Sequence, residues 1–91
     1  MKQSEFEAAL RRDGYQVFYG GSKPGEVNPD HAHPWHGRVL VIGGELALTR
    51  GGRTDTFRAG DCCDVAPGEV HAEQAGAQGA ALVIGRRMPA G

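Results

Sequence analysis

The apolar positions of this chain follow two different periods. Near the start, Phe6, Ala9 and Leu10 recur at the spacing that gathers side chains on one face of a helix. Ser4 with Glu7 three residues later reads as a capping box, in which each side chain satisfies a free amide of the first turn. Arg11 and Arg12 suit the carboxyl end of a helix dipole and Gly14 is a natural terminator, so a short helix is expected over residues 5–12.

From Tyr15 onward the period falls to two. Tyr15, Val17 and Tyr19 alternate with Gln16, Phe18 and Gly20, which predicts a strand with the two tyrosines packed on its better-buried face. Extended stretches then follow at short intervals, over 27–33, 38–42, 45–50, 53–58, 62–66, 70–75 and 80–87. They are cut by Gly43-Gly44, by the hairpin pair Gly51-Gly52, by Ala59-Gly60-Asp61 and by Pro67-Gly68-Glu69. Pro29 and Pro34 confine the 27–33 stretch to a sheet edge. About eight short strands with no crossover helices between them predict an all-β antiparallel sandwich or barrel, built as one domain over 1–91 with the barrel over 15–87 and a frayed tail over 88–91.

Composition narrows the function classes. Glycine fills 15 of 91 positions, about twice its ordinary share of roughly 7%, as a chain of tight turns requires. Ten basic against eleven acidic residues give a net charge of −1 and no basic block, which argues against a nucleic-acid or anionic-membrane surface. The pairs Arg11-Arg12 and Arg86-Arg87 read as solvated edges. The longest apolar runs, 39–42 and 80–84, fall far short of the ~20 residues of a membrane span, and the first residues lack the apolar core of a secretory signal. Cys62 and Cys63 are neighbours and staple nothing. Free thiols and the missing signal together lead to the expectation of a soluble, cytoplasmic protein.

The four histidines carry the chemistry: His31, His33, His36 and His71 lie in two short stretches and nowhere else. On a strand, residues i and i+2 share a face, so His31 and His33 can aim two imidazoles into one interior, and His71 can meet them from a later strand. Imidazole is the commonest protein ligand for divalent transition metals. Beside them, Glu73 is read either as a base or ligand-orienting partner in the same cavity or as a solvated carboxylate. Trp35 either packs at a barrel mouth or a subunit contact, or stacks on a ligand. Cys63 shares a face with Val65 and reads as a small core residue, with Cys62 and Asp64 facing the other way; a catalytic thiol is the weaker alternative.

These stretches resemble the cupins, small conserved barrels of the RmlC-like jelly-roll type. The cupin first motif runs from a glycine to His-x-His, on to a glutamate and to a closing glycine, which Gly25, His31-Ala32-His33 and Gly44 match. The second motif, a glycine followed by Pro-x-Gly-x-x-His, matches Gly60-Asp61 and Pro67-Gly68-Glu69-Val70-His71. The match departs from the family where the metal-binding glutamate is replaced by Gly37 or Arg38, where Ala66 replaces a proline and where Ala75 replaces an asparagine. His36 stands one residue early as a substitute ligand, or else as a rim residue. The resemblance implies a divalent transition metal (Fe, Mn, Ni or Zn) held by His31, His33, His71 and His36, with a small-molecule ligand or substrate. It leaves two functions open: an oxygenase or other small-molecule enzyme, and a non-catalytic ligand-binding sensor module. Single-domain cupins of this size lead to the expectation of a homodimer joined through N-terminal strands.

Overall fold

The helix begins earlier than its capping pattern suggests. In the computed structural model, which describes residues 1–90, α1 spans Gln3–Arg12 and its N-cap is Lys2, with no side-chain cap. Gly91, the last residue of the expected tail, lies outside the described residues. Ser4 sits inside the helix, and Glu7 turns elsewhere: it accepts hydrogen bonds from Gln3 Nε2 (2.9 Å) and from the Tyr19 hydroxyl (2.6 Å). The Tyr19 bond is the main reason that the Glu7 carboxyl titrates below its usual range. Tyr19 itself is largely exposed, whereas Tyr15 and Val17 pack as expected beside Phe6 and Leu10.

Among the described residues six strands follow, fewer and longer than the sequence pattern implies: β1 Gln16–Ser22, β2 Val27–His31, β3 His36–Arg50, β4 Arg53–Arg58, β5 Cys62–Val65 and β6 His71–Arg87. All pair antiparallel in the order β1-β6-β3-β4, with β2 also on β6 and β5 also on β3. Gly43-Gly44 does not end a strand. The ladder between β3 and β6 shifts register there, at Val41/Gly43 and again at Gly44/Leu46, so each long strand bends and continues. The backbone at Gly44 (φ +67°) and at Gly79 (φ +77°) is left-handed, and a Cβ on Gly44 would collide with the Gly79 carbonyl oxygen. Only glycine serves at this crossing.

Each bend has a second effect, because an irregular count of residues exchanges the two faces of a strand. On β3 the inward set runs Gly37, Val39, Val41 before the bend and Leu46, Leu48 after it; on β6 it runs His71, Glu73, Ala75 and then Leu82, Ile84, Arg86. The two long strands therefore serve two layers. One joins β1, the end of β6, the start of β3 and β5; the other joins β2, the start of β6, the end of β3 and β4. Leu48 from the second layer packs on Cys63 and Val65 from the first, with Val39 and Phe57 beside them. The layers face each other in the jelly-roll manner, but the hydrogen-bonded ladder stays open among the described residues.

The centre of the first layer, where β3 and β6 pair, is buried on both faces. Its outer face carries Leu40 and Val83, each at most 1% exposed, under Phe6 and Leu10 of α1. This explains why 39–41 and 82–84 read as continuous apolar runs, as strands covered on both sides do. Burying side chains such as Phe6 and Leu10 contributes about 1.5–3 kcal/mol each.

Candidate metal centre

The second layer brings the histidines together at its open end. His31 closes β2 and pairs directly with His71, the first residue of β6. A register shift between Asn28 and His31, at the position of Pro29, puts His31 on the inward face opposite His71. His33 lies just beyond the strand, contrary to the extended reading of 27–33, yet its carbonyl accepts the Gly68 amide (2.7 Å), which ties its loop to the Pro67-Gly68 turn. Arg50 fixes the same turn from below through the Asp64 carbonyl (2.6 Å) and the Glu69 carboxylate (3.1 Å). The nitrogen ligand atoms of His31, His33 and His71 all lie within 4.8 Å of one another.

Backbone carbonyls set the tautomers. His31 Nδ1 lies 2.8 Å from the Pro29 carbonyl oxygen, and His71 Nδ1 lies 2.8 Å from that of Glu69. A carbonyl oxygen only accepts, so each Nδ1 carries a proton and donates it; in the neutral imidazole this tautomer puts the lone pair on Nε2. Both Nε2 atoms face Glu73, whose Oε1 is 3.6 Å from His31 Nε2 and 3.5 Å from His71 Nε2. The pKa of His33 is depressed by burial above all, and then by the neighbouring His31, His71 and Arg86. Three imidazoles thus converge within reach of one another, with the Glu73 carboxylate beside two of them.

A cavity of about 210 Å³ opens beside these donors. His31, His33, His71 and Glu73 form one wall; Gly37, Val39, Val65, Leu82 and Ile84 form an apolar one, and Trp35 and Arg86 complete the lining. The Trp35 ring stacks on His33 at 4.6 Å between centroids with an 11° tilt.

A model of the cupin domain matches residues 21–84 of the chain. The chain belongs to the cupin domain family. Among solved structures, a Rhizobium leguminosarum protein of unknown function is similar over 98% of this chain and 97% of its own, at 19% identity and a TM-score of 0.78. The cupin domain of an XRE-family transcriptional regulator from Enterobacter cloacae aligns over 84% of this chain and 83% of its own, at 20% identity and a TM-score of 0.70. An RmlC-like cupin from Shewanella frigidimarina is 22% identical, with a TM-score of 0.70, over 79% of this chain and 64% of its own. No curated protein sequence matches the chain with significance.

Within this cupin the four histidines divide three to one. His36 opens β3 opposite Arg87, one residue out of phase with the cavity-facing Gly37 and Val39. Its face is that of Arg38, which reaches Asp13 (3.5 Å) and the Tyr15 ring on the helix side. The family's glutamate position, Gly37, does line the cavity, but it presents no donor. A carboxylate does stand beside the imidazoles, that of Glu73, two residues after His71.

Two further side chains depart from the sequence reading or settle an alternative within it. Arg86 is exposed, as an edge residue is, but its i, i+2, i+4 relation to Leu82 and Ile84 places it on the cavity side, at the rim, a signal present in the sequence. Cys63 is buried between Leu48 and Val65, and burial pushes its thiol up to about 11, which removes the nucleophilic thiolate at neutral pH.

Proposed function

We propose that this cupin is a metal-dependent small-molecule protein whose divalent transition metal is held by His31, His33 and His71, with Glu73 supplying the carboxylate. The observation that carries this reading is the convergence of the three imidazoles within 4.8 Å, with the Nδ1–carbonyl contacts of His31 and His71 turning each Nε2 toward the Glu73 carboxylate. Two metal–nitrogen bonds of about 2.0–2.1 Å span at most about 4.2 Å, so small imidazole rotations bring the three nitrogens within reach of one ion. Neutral imidazoles with one carboxylate suit zinc, iron, nickel or manganese. When bound, such an ion supplies Lewis acidity to a substrate oxygen or to water. The protein's part is to fix the imidazole tautomers, to shield the site with Val39, Val65, Leu82 and Ile84, and to leave the Trp35 side open for a ligand.

Elemental analysis of untagged protein, before and after loading with each metal and again on His71→Ala, tests this. About one equivalent is expected in the loaded parent and less than about a tenth in the variant; a parent that stays below a tenth with iron, manganese, nickel and zinc rejects the metal reading. A second reading, a non-catalytic sensor module, is supported by the similarity to the cupin domain of a transcriptional regulator. Oxygen uptake with a panel of thiols and 1,3-dicarbonyls separates the two, because only an enzyme turns over. The expected homodimer belongs to the same proposal: β1 is an edge strand whose Phe18 and Tyr19 stand exposed, and light scattering at micromolar concentration reads the mass directly.

A further inference from the structure

Every arginine but one is engaged by a carboxylate or a carbonyl. Arg11, Arg12, Arg38, Arg50, Arg53 and Arg58 form ion pairs, and Arg87 donates to the Asp13 carbonyl (2.7 Å). Arg86 has no such partner among the described residues. It is nonetheless held in place: its guanidinium carbon stands 4.6 Å over the Trp35 ring and 4.8 Å over the Phe18 ring. Aromatic faces restrain the plane of a guanidinium without using its N–H groups, so the fork keeps its donors for a planar anion.

The rest of the lining states what kind of anion. Val39, Val65, Leu82 and Ile84 accept an apolar body, and the volume of about 210 Å³ lies below the roughly 300 Å³ at which drug-sized pockets begin. The Glu73 carboxylate repels a second carboxylate from the far wall unless a cation is there. We propose that the cavity binds a small monocarboxylate with a short apolar body, and that Arg86 holds the carboxylate. The inference deepens the proposed small-ligand role of the same cavity; the Arg86 end stands without the metal.

Trp35 is the one tryptophan of the chain and stacks against both Arg86 and His33, so its fluorescence reports occupancy. Metal-free protein is titrated with 3-methylbutanoate and with 3-methylbutanamide, which share a shape and differ in charge. The acid is expected to bind about tenfold more tightly than the amide. Arg86→Gln should bring the two within about twofold of each other, while Arg86→Lys keeps part of the preference through its charge. Thermal melts check that both variants fold, and the conservative lysine variant keeps the test valid if the glutamine one does not. Equal affinity for acid and amide in the parent, no binding of either at about 10 mM, or an unchanged preference in folded Arg86→Gln overturns the inference. Zinc stoichiometry is measured on the same preparations: acid preference in a parent that takes up no zinc upholds the Arg86 assignment and rejects the metal site alone.

Discussion

The two ends of β6 meet the same cavity with opposite chemistry. At its start, His71 and Glu73 face inward from a layer whose other face is open; at its end, Leu82 and Ile84 face inward from a layer covered on its back by α1. The covered layer is stiffened by Leu40 and Val83 under the helix, and it offers almost no polar group to a ligand except Arg86. The other layer offers donors, and it holds them through carbonyls and turns in place of apolar packing. One strand thus supplies a scaffold wall and a chemical wall, and the irregular stretch around 76–79 keeps both facing the cavity.

The largest expected effect comes from breaking that arrangement at its hinge. Gly44→Ala places a Cβ against the Gly79 carbonyl in a left-handed backbone, and the strand register on both sides depends on this crossing. Left-handed strain costs about 1–3 kcal/mol for a non-glycine residue, and a backbone collision adds to it, so about 3 kcal/mol or more of stability should be lost. Urea denaturation followed by circular dichroism measures it. A loss below about 1 kcal/mol would show that the bend does not hold the two walls in register.

That hinge also marks where the sequence was legible and where it was not. The alternation of Leu46 with Leu48 and of Cys63 with Val65 identifies inward faces, and the two histidine-bearing motifs identify the three imidazoles that converge, because strand spacing and turn glycines are local signals. The bend at Gly43-Gly44 is legible in the two adjacent glycines, but that the ladder continues through it as one long strand is not. His36 looked like a ligand on separation from His33, but its direction depends on the phase of β3, which the loop through Pro34 and Trp35 sets. Arg86 is the exposed residue its charge predicts, and its place at the cavity rim lies in its phase with Leu82 and Ile84. Ser4 and Glu7 fit a capping box in spacing alone; Lys2 took the cap, and the Tyr19 hydroxyl took the carboxylate.

A smaller change sharpens the comparison on the chemical wall alone. Glu73→Gln keeps the size of the side chain and removes its charge, so the fold should stand while metal affinity falls by about 10- to 100-fold, the range seen when a carboxylate beside metal-ligating histidines is lost. Isothermal titration with zinc reads the affinity, and a thermal melt of the metal-free variant reads the fold. An affinity within twofold of the parent would place Glu73 outside the donor set.

The smallest effect distinguishes the walls by pH. His33 has a pKa below its ordinary value in the folded protein because it is partly buried, with His31 and His71, as they take up protons, and Arg86 adding to the shift. In the unfolded chain the same imidazole protonates near 6.5, so between that value and the lowered one the unfolded state binds more protons. Stability from this group is therefore fully present above about pH 6.5 and is lost as pH falls through the window down to the folded pKa. Metal-free parent and His33→Asn, denatured with urea in the presence of a chelator at about pH 7.5 and about pH 5.5, should differ in slope, with the parent losing more on acidification. Equal losses in the two proteins would mean that His33 is solvated in the metal-free state and that only His31 and His71 are held in place before an ion arrives.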